Sequence, residues 1–246
     1  MNMLSKDPIK VYWTYGGFPE NYTFLKLIQG PPVAVARDLF KNEHTLSNIT
    51  RYSTCPAAKD HFKNMYFFRS GVDTSISFDV EKNTISGSNA DWWAMRDRSM
   101  LNRQELIFDV NYLFFCEEPL EIEITPPYLH DAKANQTSSI ASGRFRIDKW
   151  FRAINASFLI HENKNTLELD KNDPLFYFKF LTDRKIIFCE FRSSDLSNNM
   201  SLNGTRYDAL GKPLRNSLAA RYEMFDKSKM SKILMKEIKK NVVEEN

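Results

Sequence analysis

Residues 143–191 read GRFRIDKWFRAINASFLIHENKNTLELDKNDPLFYFKFLTDRKIIFCEF, and this run decides the fold. Phe158 and Ile160 oppose Ser157, Leu159 and His161. Leu167 and Leu169 oppose Thr166, Glu168 and Asp170, and Phe176, Phe178 and Phe180 oppose Leu175, Tyr177, Lys179 and Leu181. Successive side chains on a strand leave opposite faces, so a period of two marks half-buried antiparallel strands. Three or four short strands are predicted here, and their alternate residues form the core.

Working outward, the same pattern predicts strands over 9–15, 64–69, 74–80, 106–116 and 119–124, with a hairpin turn at Glu81, Lys82 and Asn83. Gly16 and Gly17 end the first strand, and residues 23–29 are a short apolar stretch. A short helix is predicted over 33–42 from Val35, Leu39 and Phe40, and a helical turn within 55–62. Eight to ten strands joined by short turns predict a mainly β fold: an antiparallel, jelly-roll-like (cupin-like) β-sandwich. Residues 1–217 form its one domain, with the core at 64–191. Residues 126–142 read as a polar loop, and 193–212, rich in Ser, Asn and Gly, as an ordered loop or linker. Residues 218–246 read as a basic amphipathic helix, with Met230, Ile233, Leu234 and Ile238 on one face and lysines on the other. That helix is expected to pack on the domain, the alternative being that it docks to a partner.

A chain of 246 residues with 42% hydrophobic and 13% aromatic residues can bury a sizeable core and is not disordered in bulk. The three cysteines, Cys55, Cys116 and Cys189, match neither a disulfide framework nor a metal knuckle, and read as buried thiols in a reducing compartment. No stretch has the apolar run of a signal peptide or a transmembrane helix, so an intracellular, soluble protein is expected. The net charge of +3 is concentrated: residues 227–240 hold six lysines against one glutamate, leaving the rest slightly acidic. The body is not a basic nucleic-acid surface, and nucleic acid is an expected partner only through that lysine-rich helix.

Residues 143–180, preceded by FFRSGVDTSISFDV at 67–80 and LEIEITPPYLH at 120–130, resemble a family of uncharacterised proteins carried by tailed phages of aquatic bacteria. A looser likeness links them to a bacterial domain of unknown function, through Trp150-Phe151-Arg152 with Asn155 and through Asp173-Pro174-Leu175 before an aromatic strand. The resemblance spans residues 55–191 and lies in order and spacing. It implies a phage-encoded, β-rich protein placed in the host cytoplasm or associated with the virion, and it brings no catalytic residues.

Four groupings bear on chemistry. A metal site in a jelly roll needs two imidazoles and a carboxylate, but His130-Asp131 and His161-Glu162 are adjacent pairs whose side chains diverge on a strand, so no metal or cofactor is expected. Arg146, Trp150 and Arg152 can clasp an anionic or planar ligand, since a guanidinium fork suits carboxylate or phosphate and indole adds a stacking face. The structural alternative pairs Arg152 with a buried carboxylate such as Asp173 to pin two loops. Trp92 and Trp93, with Arg96 and Arg98, line a binding surface or else anchor the 87–104 loop on the core. No nucleophile motif or phosphate loop is present in the sequence. The sequence therefore predicts a non-catalytic binding protein. Its contact surfaces are the 87–104 and 126–142 loops and the C-terminal helix, and its partner is another protein or a second copy. The alternative is a cupin-like enzyme or small-molecule binder, with an oxygenase-type pocket near Arg146, Trp150, Arg152 and His161.

Overall fold

Period-two alternation recurs along the chain, and the computed structural model, which describes residues 7–16, 22–41, 55–96, 104–203 and 229–245 with 223, 225 and 227, turns it into sheets. In the order of the sequence the strands and helices are β1 (Ile9–Tyr15), α1 (Tyr22–Gln29), β2 (Val33–Ala34), α2 (Val35–Lys41), α3 (Pro56–Phe62), β3 (Met65–Arg69), β4 (Thr74–Asp79), β5 (Thr84–Gly87), β6 (Trp93–Arg96) and β7 (Glu105–Phe115). There follow β8 (Glu121–Thr125), β9 (Ser138–Ile140), β10 (Gly143–Arg146), β11 (Ile154–Ile160), β12 (Thr166–Leu169), β13 (Pro174–Phe180), β14 (Ile186–Phe191), α4 (Asp195–Asn203), α5 (Met230–Lys240) and β15 (Val242–Glu245). The fold is mainly β, as predicted.

A seven-stranded sheet has the order β15-β14-β1-β7-β11-β9, with β6 beside β1 on the same edge of the long β7. A five-stranded sheet runs β10-β8-β13-β3-β2, and a three-stranded one β12-β4-β5. Pairing is antiparallel with one exception among the described strands. β1 lies parallel to β14, Ile9 opposite Ile186 and Trp13 opposite Glu190, which corrects the wholly antiparallel expectation. Strands this far apart in sequence are free of the hairpin geometry that forces antiparallel pairing.

Aromatic rings join the two larger sheets. Phe68 of β3 stacks on Tyr112 of β7 with centroids 3.3 Å apart, and Phe114 of β7 meets Phe178 of β13 at 5.3 Å. Phe176, Phe178 and Phe180 point into this shared core, as the alternation predicts. Two of their opposite neighbours, Leu175 and Tyr177, are buried too. Tyr177 lies in a second apolar layer with Val35 of α2, Phe62 of α3, Met65 and Phe67, so short helices cover the outer face of the five-stranded sheet. On the far side, Leu234, Met235 and Ile238 of α5 pack on Tyr12, Leu113, Phe115 and Phe191.

Asparagine supplies the tight turns. Asn64, Asn83, Asn89, Asn163 and Asn172 are the non-glycine residues with positive φ among those described, a conformation its short polar side chain tolerates better than most. Asn83 makes the predicted β4–β5 hairpin and Asn172 the β12–β13 turn.

Several expectations are corrected. Residues 126–142 are not an open loop: they contain a 3₁₀ turn, Lys133–Gln136, and β9, with Ala132 and Ala134 buried. Part of the expected 193–212 linker is α4, which starts where the Ser194 and Ser197 side chains cap each other's backbone N–H groups. Residues 204–212 lie outside those described. The tail helix buries Met235 in place of Ile233, which is 51% exposed, and β15 follows it as an unanticipated edge strand. Cys55 is exposed, whereas Cys116 and Cys189 are buried. No helix among the described residues is long and apolar enough to cross a membrane.

Candidate functional site

On the outer face of the five-stranded sheet, β13 aims Tyr177 away from the phenylalanine core, and a chain of polar groups converges on its hydroxyl. His130, in the loop after β8, contacts the Tyr177 hydroxyl through Nδ1 and Asp38 Oδ2 through Nε2 at 3.1 Å. Asp38, on α2, also accepts from Arg69 of β3, whose Nη1 donates to the Asn172 carbonyl at 3.0 Å. The Arg69 guanidinium lies 5.1 Å from the Phe67 ring centre. One neutral tautomer satisfies every partner: Tyr177 O–H donates to Nδ1, and Nε2–H donates to the carboxylate. Burial pushes the Tyr177 phenol well above its ordinary range.

A carboxylate, an imidazole and a hydroxyl in line form the layout of a general-base relay. Here the hydroxyl is fully buried and presents nothing to a substrate. The relay instead fixes what lies around it. Tyr128 and Leu129, 51% and 38% exposed, stand at the tip of the pinned loop, and the Tyr128 hydroxyl meets His61 Nε2 of α3. Beside them a polar cleft of about 280 Å³ is lined by Asp60, Lys63, Lys179, Phe180, Leu181, Thr182 and Asp183. Asn64 Nδ2 holds its far wall by donating to the carbonyls of Thr182 at 2.8 Å and Arg184 at 2.9 Å.

The structure splits the residues that the sequence singled out. Trp93 is buried, stacked 4.6 Å from Phe108 and 5.4 Å from Phe158, and Trp92 meets Phe24 edge-on at 6.4 Å. The pair anchors its loop on the core. Arg96 lies opposite Glu105 in the β6–β7 register; its side chain, like the whole of Arg98, lies outside the described residues. Of Arg146, Trp150 and Arg152, the last two meet each other. Arg146 grips Asp148 through Nε at 2.9 Å and through Nη2, and Arg152 lies over the Trp150 ring at 4.8 Å. The fork and the indole face proposed for a ligand are thus occupied from within the chain. The expected Arg152–Asp173 pairing is corrected: Asp173 accepts the Asp170 N–H at 3.2 Å, and the charges acting on it are Asp170 and Lys133. His161 bonds Ser139 Oγ at 3.0 Å beyond the far end of β11, so about 20 Å of strand separates it from Arg152.

One buried acid escaped sequence inspection. Glu190 of β14, 3% exposed, receives Lys26 Nζ at 2.9 and 3.0 Å and the Tyr22 hydroxyl, both from α1. Burial, then Glu190, pushes the Tyr22 phenol up. At its other end α1 rests on Gly71, where any Cβ would lie 1.2 Å from the Ile28 carbonyl oxygen. The helix turns Tyr22, Leu25 and Gln29 inward and leaves Phe24 and Leu27 facing outward.

No family model matches the chain, and comparison with curated proteins and with solved structures returns no match.

Proposed function

We propose that this chain is a jelly-roll-like β-sandwich that works as a non-catalytic binding protein, encoded by a phage and acting in the host cytoplasm or on the virion. The phage assignment rests on the resemblance over residues 55–191. The sandwich assignment is supported by the path of the chain: from β7 to β11 each strand changes sheet, the seven-stranded and five-stranded sheets alternating, and the two meet through aromatic rings. A jelly roll has this alternation; the parallel β1–β14 pair is a departure from it.

The observation that carries the binding role is the filled interior. A cupin-type site needs space and convergent polar groups between the sheets. Here Phe68, Tyr112, Phe114, Phe176, Phe178 and Phe180 occupy that space and are fully buried. What the fold offers outward is the Tyr128–Leu129 tip with its neighbouring cleft, locked in place by His130. Such a surface suits a protein partner or a second copy, with aromatic anchors and a polar rim.

Light scattering and elemental analysis of the purified full-length protein, with mass spectrometry of phage particles, test this. A protein without bound metal that self-associates, or that is found in particles, is the expected outcome. Stoichiometric transition metal or a co-purifying small molecule held between the sheets overturns it.

A further inference from the structure

Docking of α5 sorts the six lysines of residues 227–240 into two groups. Burial of Leu234, Met235 and Ile238 fixes the rotation of the helix. With 3.6 residues per turn, Lys229, Lys232, Lys236 and Lys240 then fall on the solvent side, around the exposed Ile233. Lys227 pairs with Glu223, Lys239 with Glu117 at 2.8 Å, and Lys240 loosely with Glu237 at 3.8 Å. Lys229, Lys232 and Lys236 are exposed and have no carboxylate partner among the described residues.

We propose that this stripe is a docking surface for the phosphate backbone of a nucleic-acid duplex, read without regard to sequence. Charge complementarity selects the occupant. From Lys229 to Lys236 the stripe runs about 10 Å along the helix axis, and duplex DNA offers about one negative charge per 1.7 Å, so several phosphates meet the lysines in any register. An anionic membrane fits less well, because a surface helix binds lipid by burying its apolar face, and the apolar face of α5 is already spent on the protein core, with Ile233 alone left outside. The helix is pre-ordered by its packing, so binding does not have to fold it. The contact adds a ligand class to the binding role and stands whether or not the chain also has a protein partner.

The test uses full-length protein and fluorescence anisotropy with a mixed-sequence duplex of about 20 base pairs, titrated between about 20 and 200 mM salt. Three to four lysines predict a slope of log K against log salt of about −3. Combining Lys229→Gln, Lys232→Gln and Lys236→Gln should weaken binding at least about tenfold at low salt and bring the slope close to zero, about one unit per lysine. These side chains are exposed, so the melting temperature should not change. Lys82→Gln, Lys164→Gln and Lys171→Gln together remove the same charge elsewhere and should leave binding within about twofold. Four results would overturn the proposal: no binding at low salt, equal loss in both triple variants, equal affinity for polyglutamate, or stronger binding to phosphatidylserine vesicles than to the duplex.

Discussion

The imidazole of His130 bridges Asp38 on α2, at 3.1 Å, and the fully buried hydroxyl of Tyr177 on β13, so one side chain ties a helix and a loop to the middle of a sheet. Tyr177→Phe keeps the ring and removes the donor, which leaves Nδ1 unpaired in a part-buried site. The expected loss is about 1–3 kcal/mol in denaturant unfolding. A double-mutant cycle of Asp38→Asn with Tyr177→Phe should show coupling above about 0.5 kcal/mol, since both act through His130. Strict additivity would mean that the three groups are not one network.

Gly71 is the seat of α1. Gly71→Ala drives a methyl into the Ile28 carbonyl, and overpacking of this kind costs about 1–3 kcal/mol. Gly143→Ala meets nothing within 4 Å and should be close to neutral. Equal stability of the two variants would show that α1 is not held against the β3–β4 turn.

Glu190 and Lys26 make an unequal pair, the acid buried and the lysine reaching in from solvent. Lys26→Met strands a buried carboxylate, whereas Glu190→Gln keeps a partner for the Tyr22 hydroxyl and frees Lys26 to water. The first should therefore destabilise more than the second, by about 1 kcal/mol or more. The reverse order, measured by urea unfolding, would contradict the assigned burial.

Alkaline pH should unfold the protein. Burial pushes the Cys116 thiol from its ordinary 9.0 up to about 12, and it raises the phenols of Tyr15, Tyr22, Tyr112 and Tyr177 above their ordinary 10.0. Each group binds its proton more tightly folded than unfolded. Their contribution to stability is therefore intact below about pH 9 and is lost as pH rises toward the folded-state values. The melting temperature should be level up to about pH 9 and fall steeply above about pH 10, with phenolate absorbance appearing together with unfolding. Phenolate forming in a still-folded protein would count against the burial of these rings. Below pH 9, Cys55 alone among the three thiols should react at once with a disulfide reagent.

How much of this the sequence disclosed depended on whether the signal was local. The strands of 143–191 and the Asn83 hairpin were legible because alternation and turn chemistry act over a few residues. Alternation did not disclose that Tyr177, opposite the Phe face, is also buried, because α2 and α3 come from a distant part of the chain to cover it. Asp38 and Tyr177 lie 92 and 47 residues from His130, so no spacing rule joins them. The tail face was read with Ile233 in place of Met235 because hydropathy alone favours isoleucine, and only packing on Phe115 and Phe191 puts the methionine inside. The Ser194–Ser197 cap was a readable helix start, hidden among serines and asparagines that elsewhere make turns.

Phe178 is the most direct probe of an interior filled from both sheets. Its ring meets Phe68 at 5.0 Å, Phe114 at 5.3 Å and Phe180 at 5.8 Å. The decisive measurement is the unfolding free energy of Phe178→Ala, with the exposed Phe24→Ala as reference. A loss of about 3–5 kcal/mol at Phe178, against about 0.5 kcal/mol or less at Phe24, is the predicted result. A loss below about 1 kcal/mol at Phe178 would mean open space between the sheets and would contradict the account.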